Sequence, residues 1–510
     1  MKNIFKKSTI ASLAFTLLLG GCTSDFEEIN TDPDALPTGS PTNQLGYTIR
    51  VTGSRHGAYD GTEAWAGYVV KIQYMDTYRY EPTNNTYGNK FSACYRNIQQ
   101  LNDILESTEA NKDDLKNIRW ATRIWSEYLW LLNTDQFGDI PYTEANKVAD
   151  GLIKAKYDAQ SEIYPKILSN LKTIADEMAG GLGKDDIGEG DFLFGGNAGL
   201  WQKFCNSLRL RAAMRIVNVA PELAKSTIEE IGQNLSKYPV LSENDENAYL
   251  WWQGSKPWNE PWANDALSRD DYGPSNIFVE HLLKMEDPRI DGMLVRAKED
   301  DQFRGYENGA LKAPANLNSI SRVSDMYRKD VAGFTPFLKS CENYFILAEA
   351  ALRGWQVGMS AEEAYNKAVR LSLEEHRSQY ETTMEARKKD GLIESYDYSA
   401  EIEKYMAGKG KFANTLDQIY MEEWVALFKN NCEAWSLYRR TGFPKEIQTS
   451  GEYPGAYCAY GTDHNDVPFR FPYPDNEYSY NTDNVNAASA GIVDYTWGKQ
   501  MWWDTRTGVK

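Results

Sequence analysis

The stretch Asp113–Leu132, DDLKNIRWATRIWSEYLWLL, sets Ile118, Ala121, Trp125, Tyr128, Leu129 and Leu132 three or four residues apart. That spacing is the apolar face of an α-helix. The same period runs through Trp201–Val219 (Trp201, Phe204, Cys205, Leu208, Ala212, Ile216) and through Cys341–Trp355 (Tyr344, Phe345, Ala348, Ala351, Leu352, Trp355). A further long stripe spans Leu416–Tyr438. Ser360-Ala361-Glu362-Glu363 has the capping-box pattern that opens a helix, which Ala364, Ala368 and Leu371 continue. Helices joined by short turns pair as 89–108 with 112–134, 158–180 with 197–219, and 340–357 with 360–380. The fold class predicted is mostly α, with stacked tetratricopeptide-like helix pairs. Long irregular loop regions at 240–275, 300–340 and 440–510 are rich in Gly, Pro, Asn, Asp and aromatics. Segments of that length on a compact protein are functional surfaces or packed Ω-like loops, not spacers. No Pro/Ser linker interrupts residues 37–510, which read as a single domain.

The 510 residues are 42% hydrophobic and 25% charged, a globular balance that excludes a disordered tail, a collagen-like repeat and a multi-span membrane protein. Against 55 Lys and Arg stand 73 Asp and Glu, a net charge of −18. A phosphate backbone is repelled by that field, so nucleic-acid binding is excluded as a general role. Fifteen Trp and 32 Tyr are the compositional oddity. Most belong in a core, and some remain for a binding surface.

The first 21 residues have the form of an export signal: Lys2, Lys6 and Lys7, then an apolar run Ile10–Leu19, then Gly20 and Gly21. The run is half the roughly twenty residues that span a bilayer. Leu19-Gly20-Gly21-Cys22 looks like a bacterial lipobox, which makes Cys22 the acylated first residue of the mature chain. Acyl chains anchor by burying methylenes at ~0.8 kcal/mol each. Residues 22–36 carry Asp25, Glu27, Glu28, Asp32 and Asp34 and no base, the composition of a self-repelling, extended acidic tether. Fifteen residues reach at most ~50 Å. The expected location is outside the cytoplasm, lipid-anchored and held off a membrane surface.

Past Cys22 the cysteines are Cys94, Cys205, Cys341, Cys432 and Cys458. An odd number cannot all pair internally, so most read as buried free thiols, with a Cys432–Cys458 bridge left open. No Cys/His spacing points to zinc. His56, His281, His376 and His464 are scattered, with no HExxH and no GxSxG, and read as core or surface residues. The acidic run Asp185–Asp191 offers calcium-type oxygens outside the EF-hand register and reads as a solvated loop. Arg209, Arg211 and Arg440 read as ion-paired helix bases. Gly138 and Gly442 stand where a helix must stop. No metal, cofactor or catalytic residue is expected.

Several strings together resemble the SusD/RagB outer-membrane lipoproteins. They are Asn133-Thr134-Asp135-Gln136-Phe137-Gly138-Asp139-Ile140-Pro141-Tyr142; Asp191-Phe192-Leu193-Phe194-Gly195-Gly196 followed by Trp201 and Asn206–Arg211; Tyr344–Ala350; Glu422-Glu423 through Trp435 to Arg440-Thr441-Gly442; and Val467–Pro474. They span nearly the whole mature chain in the family's order. The resemblance implies a helical body with tetratricopeptide-like units, long irregular loop regions forming a ligand-binding part, and no bond-making chemistry. It further implies a cell-surface, outer-membrane lipoprotein that binds nutrient glycans and delivers them to a SusC-like TonB-dependent transporter. Within that role the alternative is peptide capture of the RagB type. Outside it stand a surface glycoside hydrolase with an unrecognised carboxylate pair and a purely structural solenoid.

Glycan binding needs flat apolar faces for sugar rings and amides or carboxylates for hydroxyls. Tyr249–Trp262, YLWWQGSKPWNEPW, is the richest stretch, and Trp251, Trp252, Trp258, Asn259 and Trp262 are its candidate ligand residues. Pro and Gly break any helical stripe there, so some rings are expected to face a loop surface. A second candidate set is Tyr78, Tyr80, Asn84, Asn85 and Tyr87, which resembles by position an early ligand-site loop of the family.

Overall fold

The computed structural model describes residues 39–74, 83–310, 312–447, 464, 466–492 and 494–510. The signal 1–21, Cys22, the whole tether 22–36, Tyr78, Tyr80 and Cys458 lie outside the described residues. Helix α1 (Pro41–His56) starts on Ser40, whose Oγ accepts from the Asn43 amide, with proline in its first turn. Helices α2 (Asn84–Ser107) and α3 (Lys116–Phe137) pack together, as do α4 (Gln160–Ala179) and α5 (Ala198–Arg215). After α6 (Pro221–Gly232) comes the third pair, α7 (Ser340–Leu352) with α8 (Ala361–Glu375). Contacts of α3 with α4 and α5, and of α5 with α7, join the pairs into one stack. The chain is mostly α, built from stacked tetratricopeptide-like pairs. Ser360 and Glu363 form the predicted capping box.

Several predicted boundaries move. Thr83 caps α2, so that helix starts at Asn84 and places Asn84, Asn85 and Tyr87 on a first helical turn, where a non-periodic segment is expected from sequence. Helix α7 stops at Leu352, ahead of Gly354 at φ +83°. The stripe Leu416–Tyr438 is two helices, α9 (Leu416–Ala426) and α10 (Asn431–Thr441). Between them Lys429 adopts φ +74°, and its ammonium turns inward to Glu260 at 3.2 Å. Apolar spacing alone does not register a single left-handed residue. Gly138 (φ +83°) and Gly442 (φ +78°) end α3 and α10 as expected.

Parts of the irregular stretches pair as short antiparallel ladders: β1 (Val69–Lys71) with β3 (Tyr272–Pro274), β2 (Ala248–Trp251) with β6 (Phe334–Leu338), and β4 (Leu294–Val295) with β5 (Arg322–Val323). The aromatic excess is mostly core. Trp65, Trp125, Trp201, Trp262, Trp424, Trp435 and Trp503 are all fully buried.

The structure also supplies the acceptors that the sequence could not name for its arginines. Arg209 meets Glu230 at 2.5 Å, Arg211 meets Glu342 at 2.6 Å, and Arg440 meets Glu349 at 2.9 Å. Glu433 of α10 receives Arg215 at 2.6 Å and Arg211 at 3.4 Å, and Arg215 reaches Asp135 of α3 at 3.4 Å. Burial works against charge on Glu433, but Arg215 and Arg211 outweigh it and hold the carboxyl below its usual range. Glu423 has only a distant arginine, Arg440 at 4.0 Å, and burial pushes its carboxyl up to about 8.

A carboxylate held below its ordinary value of ~4.3 stabilises the fold above that pH, and the contribution is lost as pH falls through the folded-state value. Glu433→Gln takes one charged acceptor from each of two buried guanidinium groups, Arg211 keeping Glu342 and Arg215 keeping Asp135. The cost should therefore reach at most the ~3–5 kcal/mol of a fully broken buried pair. Urea titrations at neutral pH should show a loss within that bound. The gap from the unmodified protein should narrow as the buffer is taken below pH ~4. A gap that stays constant with pH would place the effect elsewhere than in the ion pairs.

Candidate ligand-binding surface

Successive residues of a strand point to opposite faces, and β2 divides the predicted aromatic cluster in this way. Leu250 and Trp252 turn toward α1: an added Cβ on Gly53 would collide with Leu250 and come within 3.4 Å of the Trp252 ring. The indole N–H of Trp252 donates to Thr335 Oγ1 at 2.9 Å, which leaves the ring 6% exposed. Tyr249 and Trp251 take the other face. Tyr249 stacks on Phe334 at 4.4 Å and 12°, and its hydroxyl donates to Glu375 at 2.6 Å. Trp251 leans on the same Phe334 at 5.1 Å and is 61% exposed. All fifteen tryptophans lie within the described residues, and Trp251 alone is exposed.

The chain then turns on Trp258, whose amide donates to the Ser255 carbonyl at 2.7 Å. The Trp258 ring is half-buried on the α1 side of the ribbon, where it lies 5.1 Å from the Arg50 guanidinium. Arg50 also lies over Phe192 at 3.6 Å, and desolvation lowers its pKa. Asn259 is half-buried, its amide 3.4 Å from Asn264 Oδ1. Trp262 is a core residue. It stacks on Tyr59 at 4.8 Å and 13° and opens the helix Pro261–Ala266, which Glu260 caps through the Ala263 amide at 2.8 Å.

The expectation of one ring-lined loop surface is therefore corrected. Trp252 and Trp262 offer no face to a ligand, because strand alternation and the helix start turn them inward. Trp251 and Trp258 stand on opposite sides of the β2–β6 ribbon. In the second set, Asn84 and Asn85 are exposed, and Asn84 Oδ1 accepts from the Asp475 amide at 3.3 Å. Tyr87 is 4% exposed, its hydroxyl 3.4 Å from that of Tyr495. Sequence reasoning missed Arg50, Phe192 and Phe334, which reach the site from distant segments and carry no local signal.

The remaining candidates for chemistry are structural. Asp185 caps α3 through the Asn117 and Ile118 amides at 2.9 and 3.0 Å. Asp191 accepts from the Leu193, Phe194 and Gly196 amides and from the Trp201 indole at 2.7 Å. No group of three or more metal-ligating side chains occurs among the described residues. Burial holds His376 well below its usual pKa, with Tyr327 at 2.7 Å, and takes His281 down to about 4. Cys432 is a buried free thiol, pushed by burial to about 12.

Residues 35–474 match the SusD-like family, described as starch-binding and associating with the outer membrane. No curated protein matches the chain. Among solved structures, one titled a chitin-binding protein is similar with a TM-score of 0.76 at 23% identity, covering 91% of this chain and 100% of its own. A SusD homologue from Bacteroides ovatus gives 0.73 at 22%, covering 91% and 99%. A chitin-binding SusD homologue from Flavobacterium johnsoniae gives 0.71 at 22%, covering 91% and 97%. At these identities the structural likeness is one of fold, and it agrees with the sequence match over most of the length. The chain belongs to the SusD-like family.

Proposed function

We propose that this protein is a cell-surface lipoprotein that captures nutrient glycans and passes them to a SusC-like TonB-dependent transporter, without making or breaking bonds. The observation that carries the reading is Trp251, the one exposed indole of fifteen, held on a base of Phe334 and Tyr249. An aromatic face of this kind packs against the C–H face of a sugar, while a rigid base removes the entropy cost of ordering it. The family description and the chitin-binding titles of two similar structures support a glycan as ligand. Trp258 and Asn259, with Arg50, are proposed as an outlying contact, and Asn84 and Asn85 as hydroxyl-binding amides. A lipid on Cys22, the tether 22–36 and a single domain over 37–510 complete the proposal. Weak binding suits a carrier that must release its cargo, and a few stacked rings and hydrogen bonds give roughly −4 to −8 kcal/mol, millimolar to micromolar.

Calorimetry on the full-length protein with chitin and starch oligosaccharides tests the ligand class. Trp251→Ala should weaken the bound glycan about tenfold or more, ~1.4 kcal/mol, with Tm unchanged. Trp262→Ala should instead cost ~3–5 kcal/mol of stability, as expected for a truncated core ring. Unchanged affinity in Trp251→Ala removes the platform from the site. Binding of peptides in place of glycans transfers the protein to the RagB type, and release of reducing ends makes it a hydrolase. Cys22→Ser should move the protein from the membrane fraction to the soluble one, and retention on the membrane would contradict the anchor.

A further inference from the structure

A cavity of 450 Å³ opens between α2, α3 and α4, within the ~300–1,000 Å³ usual for small-molecule sites. It shares no lining residue with the β2–β6 ribbon. Trp130 and Tyr142 meet edge to face in its wall, 5.1 Å apart at 79°. Asn170, exposed on α4, donates its amide to Glu127 Oε1 at 2.9 Å and lies 3.2 Å from the Tyr142 hydroxyl. Glu127 is 8% exposed; the Tyr142 hydroxyl faces its carboxyl, but no hydrogen bond of ordinary length and angle reaches the second oxygen, Oε2. A buried polar atom left in that state costs ~1–3 kcal/mol, which a ligand hydroxyl would recover.

The chemistry of the walls selects the ligand. Burial pushes the Glu127 carboxyl up to about 8, so it keeps its proton at neutral pH and can both donate and accept. A neutral acid gives an amine no counter-charge, and Arg123 and Lys147 in the lining repel one. An anion finds Arg123 already paired with Glu177 at 2.6 Å, which leaves it only Lys147, exposed to solvent where a charge pair is worth little. Hydroxyl groups and a flat apolar face fit what remains.

We propose that this cavity is a second saccharide subsite, taking a neutral mono- or disaccharide between the Tyr142 ring and the Glu127–Asn170 pair. It takes its ligand class from the glycan reading but stands on different residues from Trp251. The test is a titration of full-length protein, followed by ligand-detected NMR, with N-acetylglucosamine, chitobiose, glucose and maltose. Glucosamine and glucuronate serve as charged comparisons. Two variants address the cavity: Asn170→Ala removes the bridging amide from an exposed position, and Ala145→Trp occludes the opening. For a neutral probe, two binding components are expected. Both cavity variants should weaken one of them about tenfold or more and leave the other as it is, and Trp251→Ala should weaken the other. Asn170→Ala should also lower Tm, since it takes the partner from Glu127 Oε1, while Ala145→Trp keeps that bond. A single component lost in Trp251→Ala and unaffected by both cavity variants overturns this inference while leaving the platform intact. Loss in the cavity variants alone, with Trp251→Ala unchanged, sinks the platform and keeps the subsite. Cavity variants that alter only the binding of glucosamine or glucuronate overturn the assignment of a neutral ligand.

Discussion

Buried charge in the seam where α3, α5, α7, α9 and α10 meet constrains the rest of this molecule. Glu342, Glu349 and Asp135 are removed from water there along with Arg211, Arg215 and Arg440, and Glu433 nearly so, its side chain 12% exposed. Desolvating one such ion costs several kcal/mol, which only a close partner recovers. Each pair therefore fixes the distance between two helices. Arg211 and Arg215, four residues apart on one face of α5, reach α7, α10 and α3 together. A helix shifted by one turn would strand a charge, so the network selects one register where apolar packing alone tolerates several.

With the stack fixed in this way, the distribution of aromatic rings acquires meaning. A chain with fifteen tryptophans buries or half-buries fourteen of them. The ladder β2–β6 then does what a helix could not. Its alternation sends Trp252 into the core against α1 and Trp251 out to solvent from adjacent positions. Phe334 from the partner strand supports the outward ring. The cost of exposing a large apolar surface is accepted at this one tryptophan, the place where a sugar face could cover it.

Much of the fold was legible because helical periodicity is local. The three predicted pairs exist, and the caps at Ser360, Gly138 and Gly442 are where their residue types indicated. The division of Leu416–Tyr438 was not legible, since it depends on Lys429 reaching Glu260, 169 positions earlier in the chain. The site was legible only as composition. The run from Tyr249 to Trp262 announced rings, but which of them faced solvent depended on strand pairing with residues 334–338 and on packing against α1. The Glu127–Asn170–Tyr142 cavity gave no sign at all, because a glutamate inside an amphipathic stripe looks the same in sequence whether its carboxyl is solvated or enclosed.

Because one indole is exposed, three (Trp258, Trp355 and Trp502) are half-buried and eleven are buried, the protein carries its own reporter. Iodide quenches only those tryptophans it can touch, so the accessible fraction of the intrinsic fluorescence is dominated by Trp251. Recorded with and without a saturating glycan, the quenchable fraction should collapse when the ligand covers the ring. Saturation of the protein by its glycan with quenching left as it was would contradict the account, since the ligand would then be held somewhere other than on Trp251.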